Sequence, residues 1–365
     1  MLDLTYIIVA AQAFVLALLL VPVARRIGLA AGVVDRPGGR KLHAAPTARS
    51  GGMGIFVAFF ATILLDIILI KSRLVLSFVP ADIQPFLHNI PYISDRILAL
   101  FLGATLMFVT GLADDRWDLS PRLKLALQIA AAVPLIATGI VIKAFLPSPV
   151  LWWILTIGWV VLLTNAFNFL DNMNGLSAGV AAIAALNFYL ISRVGGEYFM
   201  MGLFAALFGA LLGFLRYNFP RAQLFMGDSG SLFTGYLLAG SSIMVTYYQP
   251  GTPTHLPVVA PILVLGVPLF DALSVMYIRW RNGAPLMQGD RNHFSHRLVA
   301  LGFSTTQAVL FIYLVAMCAG LGAVYLRWLP WVGSILVLVQ TVLYFLIIYL
   351  LERTAQKKLS NGERN

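Results

Sequence analysis

Cysteine and charged residues are both scarce in this sequence. Its 365 residues include one cysteine, Cys318, and only 11% are Asp, Glu, Lys or Arg. About a quarter of the residues in an ordinary soluble domain are charged, so this composition excludes a long soluble domain. The lone cysteine excludes an internal disulfide and a cysteine-ligated metal site.

Apolar residues, in contrast, make up 60% of the chain, and a membrane-spanning helix needs roughly 20 of them. Such runs fall at 4–24, 51–70, 97–112, 123–142, 150–166, 176–192, 198–215, 231–248, 257–278, 307–326 and 331–351. The sequence therefore predicts an all-α, polytopic membrane protein with about eleven transmembrane helices. We expect residues 1–351 to form a single integral membrane domain, followed by a short charged cytoplasmic tail at 352–365 that is disordered.

Basic residues are distributed unevenly between the predicted loops. With the N-terminus outside, 19 of the 25 Lys and Arg residues lie on the cytoplasmic side and 6 on the other. The positive-inside rule therefore predicts an outside N-terminus and a cytoplasmic C-terminus. The run at 4–24 is expected to be a span rather than a signal peptide, because it ends in Arg25-Arg26 and not in a small-residue cleavage site.

The net charge of +10 is then mostly a property of the cytoplasmic face. Two explanations stay open, namely topology with anionic lipid headgroups and an anionic substrate. No nucleic-acid partner is predicted, because no basic stripe lies on a soluble module.

Glutamate is missing from the predicted cytoplasmic segments, apart from the tail. Their acidic residues are Asp35, Asp114, Asp115, Asp118, Asp171, Asp228 and Asp290. Short acidic side chains at helix ends suit a site for a hard cation, which prefers oxygen ligands.

Asp114 and Asp115 end the third apolar run. The negative end of the helix dipole disfavours two carboxylates at a helix C-terminus, and a nearby cation would offset that cost. A solvated helix end is the alternative.

Amide side chains line the end of the fifth apolar run. Asn165, Asn168 and Asp171 or Asn172 recur at a spacing that places them on one face of a helix. Such groups are costly against lipid and need a metal, a phosphate or another helix as partner. Amides that merely bridge helices are the alternative.

Small residues surround Asp228 in the string Gly227-Asp228-Ser229-Gly230-Ser231. Successive N–H groups at the start of a helix form an anion site. The alternative is an ordinary helix N-cap made by Asp228 or Ser229.

Two loops on the same predicted side combine basic residues with histidine. Their members are Lys41 and His43 in the first loop, and Arg291, His293, His296 and Arg297 in the last. Arginine matches phosphate through its planar fork, although a solvated loop would look similar. Asp271, inside the ninth run, is a costly intramembrane charge, and we expect it to pair with a basic group inside the helix bundle.

In this order, the motifs resemble those of the polyprenyl-phosphate N-acetylhexosamine-1-phosphate transferases, specifically the undecaprenyl-phosphate GlcNAc-1-phosphate transferase branch, which is related to the phospho-MurNAc-pentapeptide translocase. The resemblance covers about 35–302. It rests on Asp35-x-Pro37-x-x-Arg40-Lys41-x-His43, Gly51-Gly52, Asp114-Asp115, Asn165-x-x-Asn168-x-x-Asp171, Gly175, Gly227-Asp228-Ser229-Gly230-Ser231, Pro268-x-x-Asp271 and Asp290-Arg291-x-His293.

The resemblance implies a catalytic domain in the bacterial inner (plasma) membrane with its site on the cytoplasmic face. A polyprenyl (undecaprenyl) phosphate would attack the β-phosphorus of a UDP-N-acetylhexosamine, first of all UDP-GlcNAc, and release UMP. This would be the first membrane step of a cell-envelope polysaccharide pathway. Mg²⁺ is the implied cofactor, with Mn²⁺ as the alternative ion. The lipid bilayer is a partner, and a homodimer is compatible with the resemblance.

The resemblance also implies residue roles. Catalytic roles fall to Asp114, Asp115, Asp171, Asp228 and His293, with Asp228 and Asp115 at the metal. Substrate-binding roles fall to Lys41, His43, Asn165, Asn168, Arg291, His296 and Arg297. Because a phosphate monoester has a second pKa of about 6, the nucleophile is largely ionised already. We therefore expect Asp114 or Asp115 to position phosphate or metal rather than to act as an obligatory base.

The last loop departs from the family pattern, in which a histidine stands where this chain has Ser295. The translocase's three adjacent histidines are also missing. These departures argue against a MurNAc-pentapeptide donor and leave the amino sugar open. We hypothesise that His293 and Arg297 share the work, with Ser295 as a neutral spacer or hydrogen-bond donor.

Three other functions are alternatives. A transporter of an anionic metabolite should carry its binding residues near the bilayer midplane, in repeated halves, but the acids here gather at helix ends. A CDP-alcohol phosphotransferase needs an Ala-Arg pair after Asp-Gly, which the segment 171–177 lacks. A member that has lost catalysis stays open because of Ser295, and UMP release would distinguish it.

Overall fold

A computed structural model describes residues 2–35, 46–72, 90–249, 251–283 and 293–362. Thirteen α-helices dominate these residues. They are α1 Leu2–Ala30, α2 Gly51–Lys71, α3 Ile90–Trp117, α4 Pro121–Ala137, α5 Pro149–Leu170, α6 Leu176–Gly195, α7 Tyr198–Asn218, α8 Gly227–Met244, α9 Ala260–Val264, α10 Gly266–Arg281, α11 Phe294–Ala300, α12 Thr305–Tyr325 and α13 Trp331–Gly362. The chain divides into two compact units, Met1–Thr246 and Tyr247–Asn365.

The helices confirm an all-α polytopic membrane protein. Among the described residues, eight helices are long and apolar enough to cross a membrane, or nine when a bent pair in the second unit counts as one span. Every predicted apolar run overlaps a helix. Helices α4 and α8, however, are not among the eight that are long and apolar enough to cross a membrane. The count of eleven and the orientation of the termini stay predictions.

Helix α8 lies at the centre of the first unit and packs against α2, α3 and α5. All its residues from Ser229 to Ser242 are buried. Where α2 crosses α8, a Cβ atom on Gly52 would lie 2.2 Å from the backbone nitrogen of Gly230, so only glycine permits this approach. The predicted Gly51-Gly52 motif is therefore a helix-crossing point.

Small polar residues explain why α8 is less apolar than its neighbours. Ser231, Thr234, Ser241 and Ser242 are almost fully buried. Helix interfaces in membranes favour such small residues because they let backbones approach closely. Protein rather than lipid thus surrounds α8.

A two-stranded antiparallel hairpin precedes α2, with β1 at Val34–Asp35 and β2 at Thr47–Ala48. The Nη2 atom of Arg49 donates to Oδ1 of Asp35 at 3.1 Å and ties the two strands together. Residues 36–45, which include Lys41 and His43, lie outside the described residues.

The second unit contains a broken helix where the sequence predicts one continuous span. A 3-10 helix, Leu256–Val259, continues into α9, and α10 then departs at 70°. The break falls at Leu265, beside Gly266 and close to Pro268. Proline and glycine are the residues that weaken a helical ladder. The unit's last helix, α13, extends to Gly362, so the prediction of a disordered tail is wrong for that segment.

Candidate active site

Four aspartates from three parts of the first unit form a carboxylate cluster. They are Asp114 and Asp115 in the last turns of α3, Asp171 at the C-terminus of α5, and Asp228 in the first turn of α8. All four are predicted catalytic residues. The charges of Asp228 and Asp115 act on Asp171, and those of Asp115 and Asp114 act on Asp228.

Asp115 caps α8 from another helix. Its Oδ1 accepts from the backbone N–H of Asp228 at 2.9 Å, and its Oδ2 accepts from that of Ser229 at 3.0 Å. The residue at the N-cap position itself, Met226, makes no side-chain capping bond. The local cap by Asp228 or Ser229 that the sequence suggested is therefore wrong. The backbone anion site suggested there is filled by the Asp115 carboxylate.

Gly227 makes this contact possible. It has a φ of +71°, and a Cβ atom on it would lie 2.7 Å from Oδ2 of Asp115 and 2.4 Å from the carbonyl oxygen of Arg49. Two successive N–H groups in the first turn of α8, those of Asp228 and Ser229, thus donate to one acidic residue of the cluster.

The cluster carries unbalanced negative charge. Burial, and then the charges of Asp228 and Asp115, raise the pKa of Asp171 well above its ordinary value. Burial, followed by the hydrogen bond with Asp114 and the charge of Asp115, raises the pKa of Asp228 in the same direction. Like charges disfavour ionisation in this way, so the arrangement favours a bound cation.

Lys124 on α4 contacts two members of the cluster. Its Nζ atom lies 2.7 Å from Oδ2 of Asp114 and 3.8 Å from Oδ2 of Asp228. Asp114 also accepts from the backbone N–H of Leu119 at 2.7 Å. Sequence reasoning missed Lys124 as a site residue, although its position 10 residues after Asp114 was visible as the basic residue at the start of the fourth run.

The donor set fits a magnesium ion that takes only part of its shell from protein. Mg²⁺ usually binds through one or two carboxylates, with water and substrate phosphates completing an octahedron. The side chain of Asp228 is 30% exposed and that of Asp114 is 5% exposed, so Asp228 is the more accessible. In the part of the chain that the structure describes, no group of three or more His, Cys, Asp or Glu residues is arranged to hold a metal.

The predicted amide stripe has protein partners. Asn165 and Gln128 exchange hydrogen bonds of 2.7 and 3.3 Å between α5 and α4, and Gln128 is 1% exposed. Asn168 donates to Oγ of Ser231 on α8 at 3.0 Å. The alternative that these amides bridge helices is therefore observed, while their predicted contact with substrate stays a prediction.

The second unit holds a buried Asp271–His293 pair. Asp271 is fully buried in α10, its Oδ2 lies 2.9 Å from Nδ1 of His293, and its Oδ1 accepts from the backbone N–H of Phe294 at 2.6 Å. The predicted pairing of Asp271 with a basic group is confirmed. One carboxylate thus both orients the His293 ring and caps α11.

The other residues of this predicted loop site lie on α11. Arg297 is 6% exposed, and its Nη2 donates to Oγ of Ser274 on α10 at 3.1 Å. Ser295 is 1% exposed, and the ring of His296 lies 6.4 Å from that of His293. Arg297 is therefore an internal residue rather than a surface charge. Arg291, like Lys41 and His43, lies outside the described residues.

Comparison of this sequence with those of known proteins identifies its relatives. The sequence model of glycosyl transferase family 4 matches residues 97–246, which include the whole carboxylate cluster. A probable undecaprenyl-phosphate N-acetylglucosaminyl 1-phosphate transferase of Bacillus subtilis (strain 168) is 33% identical over 328 residues, which cover 86% of this chain and 84% of the relative. The chain belongs to the polyprenyl-phosphate N-acetylhexosamine-1-phosphate transferase family.

Other relatives of this transferase carry names of the same kind. A decaprenyl-phosphate N-acetylglucosaminephosphotransferase of Mycolicibacterium smegmatis is 32% identical over 82% of this chain and 76% of its own length. An undecaprenyl-phosphate alpha-N-acetylglucosaminyl 1-phosphate transferase of Salmonella typhi is 28% identical over 91% of this chain and 88% of its own length. The resemblance read from the motifs is therefore confirmed, and a transporter or a CDP-alcohol phosphotransferase is set aside.

Proposed function

We propose that this transferase moves N-acetylglucosamine-1-phosphate from UDP-N-acetylglucosamine to a polyprenyl phosphate and releases UMP. The relatives named above support the sugar and the lipid. The observation that carries the proposal is the carboxylate cluster with Lys124 at its edge, because phosphoryl transfer depends mainly on positioning and charge neutralisation.

In this reaction, an oxygen of the lipid phosphate forms a bond to the β-phosphorus of the donor. The bond from that phosphorus to the bridging oxygen breaks, and UMP leaves with the electron pair. A phosphate monoester has a second pKa of about 6, so most of the acceptor arrives ionised. No member of the cluster needs to remove a proton, and the work of the site is to orient two anionic groups against each other.

We assign the metal-holding role to Asp228, with Asp114 beside it. A bound Mg²⁺ or Mn²⁺ would neutralise charge on the phosphate oxygens. Lys124 supplies a positive charge held by Asp114. We assign binding of the donor pyrophosphate to His293, oriented by Asp271, and to His296 and Arg297 on the same helix.

The resemblance and the distribution of basic residues also support a location in the bacterial plasma membrane, with the site on the cytoplasmic face. Another UDP-amino-sugar is the second candidate donor, because Ser295 departs from the usual histidine pattern of the last loop.

The test is a panel of radiolabelled donors supplied to the purified protein in detergent with undecaprenyl phosphate and Mg²⁺. UDP-GlcNAc, UDP-GalNAc and UDP-MurNAc-pentapeptide are compared for UMP release and for labelled lipid. We expect UDP-GlcNAc to give both products in equal amounts. Transfer from UDP-GalNAc alone would change the assigned sugar, and no UMP from any donor would contradict the proposal.

A further inference from the structure

The first turn of α8 needs hydrogen-bond partners that its own sequence does not supply. The first N–H groups of any helix lack acceptors within the helix. Those of Gly227 and Ser229 lie in buried residues, and Met226 offers no capping side chain. A buried N–H group without an acceptor costs free energy comparable to a lost hydrogen bond. Some other part of the chain must therefore provide acceptors.

Both oxygens of Asp115 meet this need. They accept from two successive N–H groups, of Asp228 and Ser229, at 2.9 and 3.0 Å. The contact spans more than 110 residues of sequence, with separations of 113 and 114, and joins the end of α3 to the start of α8. A negative charge is also favoured at this end of the helix dipole. Both its hydrogen bonds and its charge thus make Asp115 a stabilising partner of the N-terminus of α8.

Asp228 lies in the same turn that Asp115 holds. The backbone nitrogen of Asp228 is one of the two donors, so the position of its Cα atom depends directly on the Asp115 carboxylate. Gly227 fits around this contact, since a side chain there would collide with Oδ2 of Asp115. Any loosening of Asp115 therefore displaces the carboxylate best placed to bind metal.

We propose that Asp115 is a positioning residue that fixes the first turn of α8, and through it Asp228, rather than a ligand of the metal ion. The inference rests on the proposed function for its catalytic part only. It replaces the expectation that Asp115 and Asp228 bind the ion together. The same carboxylate oxygens that would have been ligands are engaged with the backbone.

Hydrogen–deuterium exchange in magnesium-free detergent tests the positioning directly. Asp115→Ala removes both acceptors, and Asp115→Asn keeps one, so exchange in a peptide covering 226–232 should rise most in the first and less in the second. The matched control is Asp118→Asn, which removes a nearby exposed aspartate that makes no bond to α8. Unchanged exchange in Asp115→Ala would overturn the proposal, and the Asn variant keeps the test valid if the Ala variant does not fold.

The turnover of the same variants separates positioning from a purely structural role. A displacement of about 1 Å at a reacting group costs on the order of 100-fold in rate, so kcat of Asp115→Asn should fall on that scale while Asp118→Asn stays near the parent. Raised exchange with normal kcat would overturn the proposal, as would a lower kcat with normal exchange. If the parent itself transfers no sugar phosphate, the proposed function fails while the exchange result still decides the capping contact.

Discussion

Charge at two half-buried carboxylates, Asp171 and Asp228, determines what the carboxylate cluster can bind. Asp171 and Asp228 both have a raised pKa, because burial and neighbouring carboxylates oppose their ionisation. A divalent cation relieves this repulsion, since it supplies positive charge where Lys124 alone does not balance four aspartates. We therefore expect the cluster to be less stable without a cation than with one.

Removing the charge of Asp228 should abolish most turnover. Asp228→Asn keeps the size of the side chain and loses the charge, so kcat should fall at least ~100-fold, the scale on which one strong transition-state contact is lost. UMP release at saturating magnesium measures the effect. Near-normal turnover would show that Asp228 has no catalytic role and belongs only to the structure of the helix end.

Asp228→Asn should also stabilise the folded protein when no metal ion is present. A raised pKa means that the folded state binds more protons than the unfolded state at pH values above the ordinary carboxyl value of 3.8. The free energy of unfolding therefore falls as the pH rises through this window. Thermal unfolding in magnesium-free buffer should give Asp171→Asn and Asp228→Asn a higher Tm than the parent at pH 8. The difference should shrink as the pH is lowered towards 4, and Asp118→Asn should show no such trend. A lower Tm at pH 8 would contradict the assigned repulsion.

Residue types at the site were predictable from sequence, but their partners were not. Scarcity of charge made Asp114, Asp171 and Asp228 conspicuous. The bonds of Asp115 to α8 and of Asn165 to Gln128 depend on which helices touch, and no local pattern encodes that. Lys124 was not predicted as a site residue, because a basic residue near the start of a predicted span was interpreted as a signal of membrane topology.

At the scale of helices, α10 and α11 form one polar assembly. Asp271 on α10 caps α11 and orients His293, while Arg297 on α11 returns a hydrogen bond to Ser274 on α10. The apolar composition of the ninth run predicted a helix but not the break at Leu265. Pro261 and Pro268 were the residues in the sequence that could have indicated a break.

Donor kinetics can separate two roles of Arg297. If its charge binds the donor phosphates, Arg297→Ala should raise KM for UDP-GlcNAc about tenfold, the equivalent of one charged hydrogen bond of roughly 1.5 kcal/mol. Ser274→Ala retains the charge of Arg297. It loses the 3.1 Å contact with Arg297 and the 3.0 Å bond from Ser274 Oγ to the carbonyl oxygen of Asp271 within α10, so its KM should stay near the parent value. Equal effects in the two variants would identify Arg297 as an anchor between α11 and α10. Ser295→Ala should change KM little, since Ser295 is a buried neutral residue.

For the molecule as a whole, the orientation of the helices in the membrane can be tested by cysteine labelling. Single cysteines at Arg122, Arg221 and Asn292, with Cys318 replaced, should be labelled only from the cytoplasm, whereas cysteines at Gly195 and Thr252 should be labelled from outside. The positive-inside rule gives this expectation. Labelling of Asn292 from outside would contradict it, because the last loop would then face away from the cytoplasm.

The buried, polar character of α8 also constrains how the chain is made. A helix with so many small polar residues gains little from lipid, so on its own it should not leave the insertion channel for the bilayer. Its packing partners α2, α3 and α5 all precede it in the chain and are synthesised first. We therefore expect α8 to insert by docking onto helices already in place. In a glycosylation-site insertion assay, a fusion carrying residues 1–246 should insert α8, and an isolated 225–246 segment should pass through or remain outside. Efficient insertion of the isolated segment would mean that its sequence alone suffices.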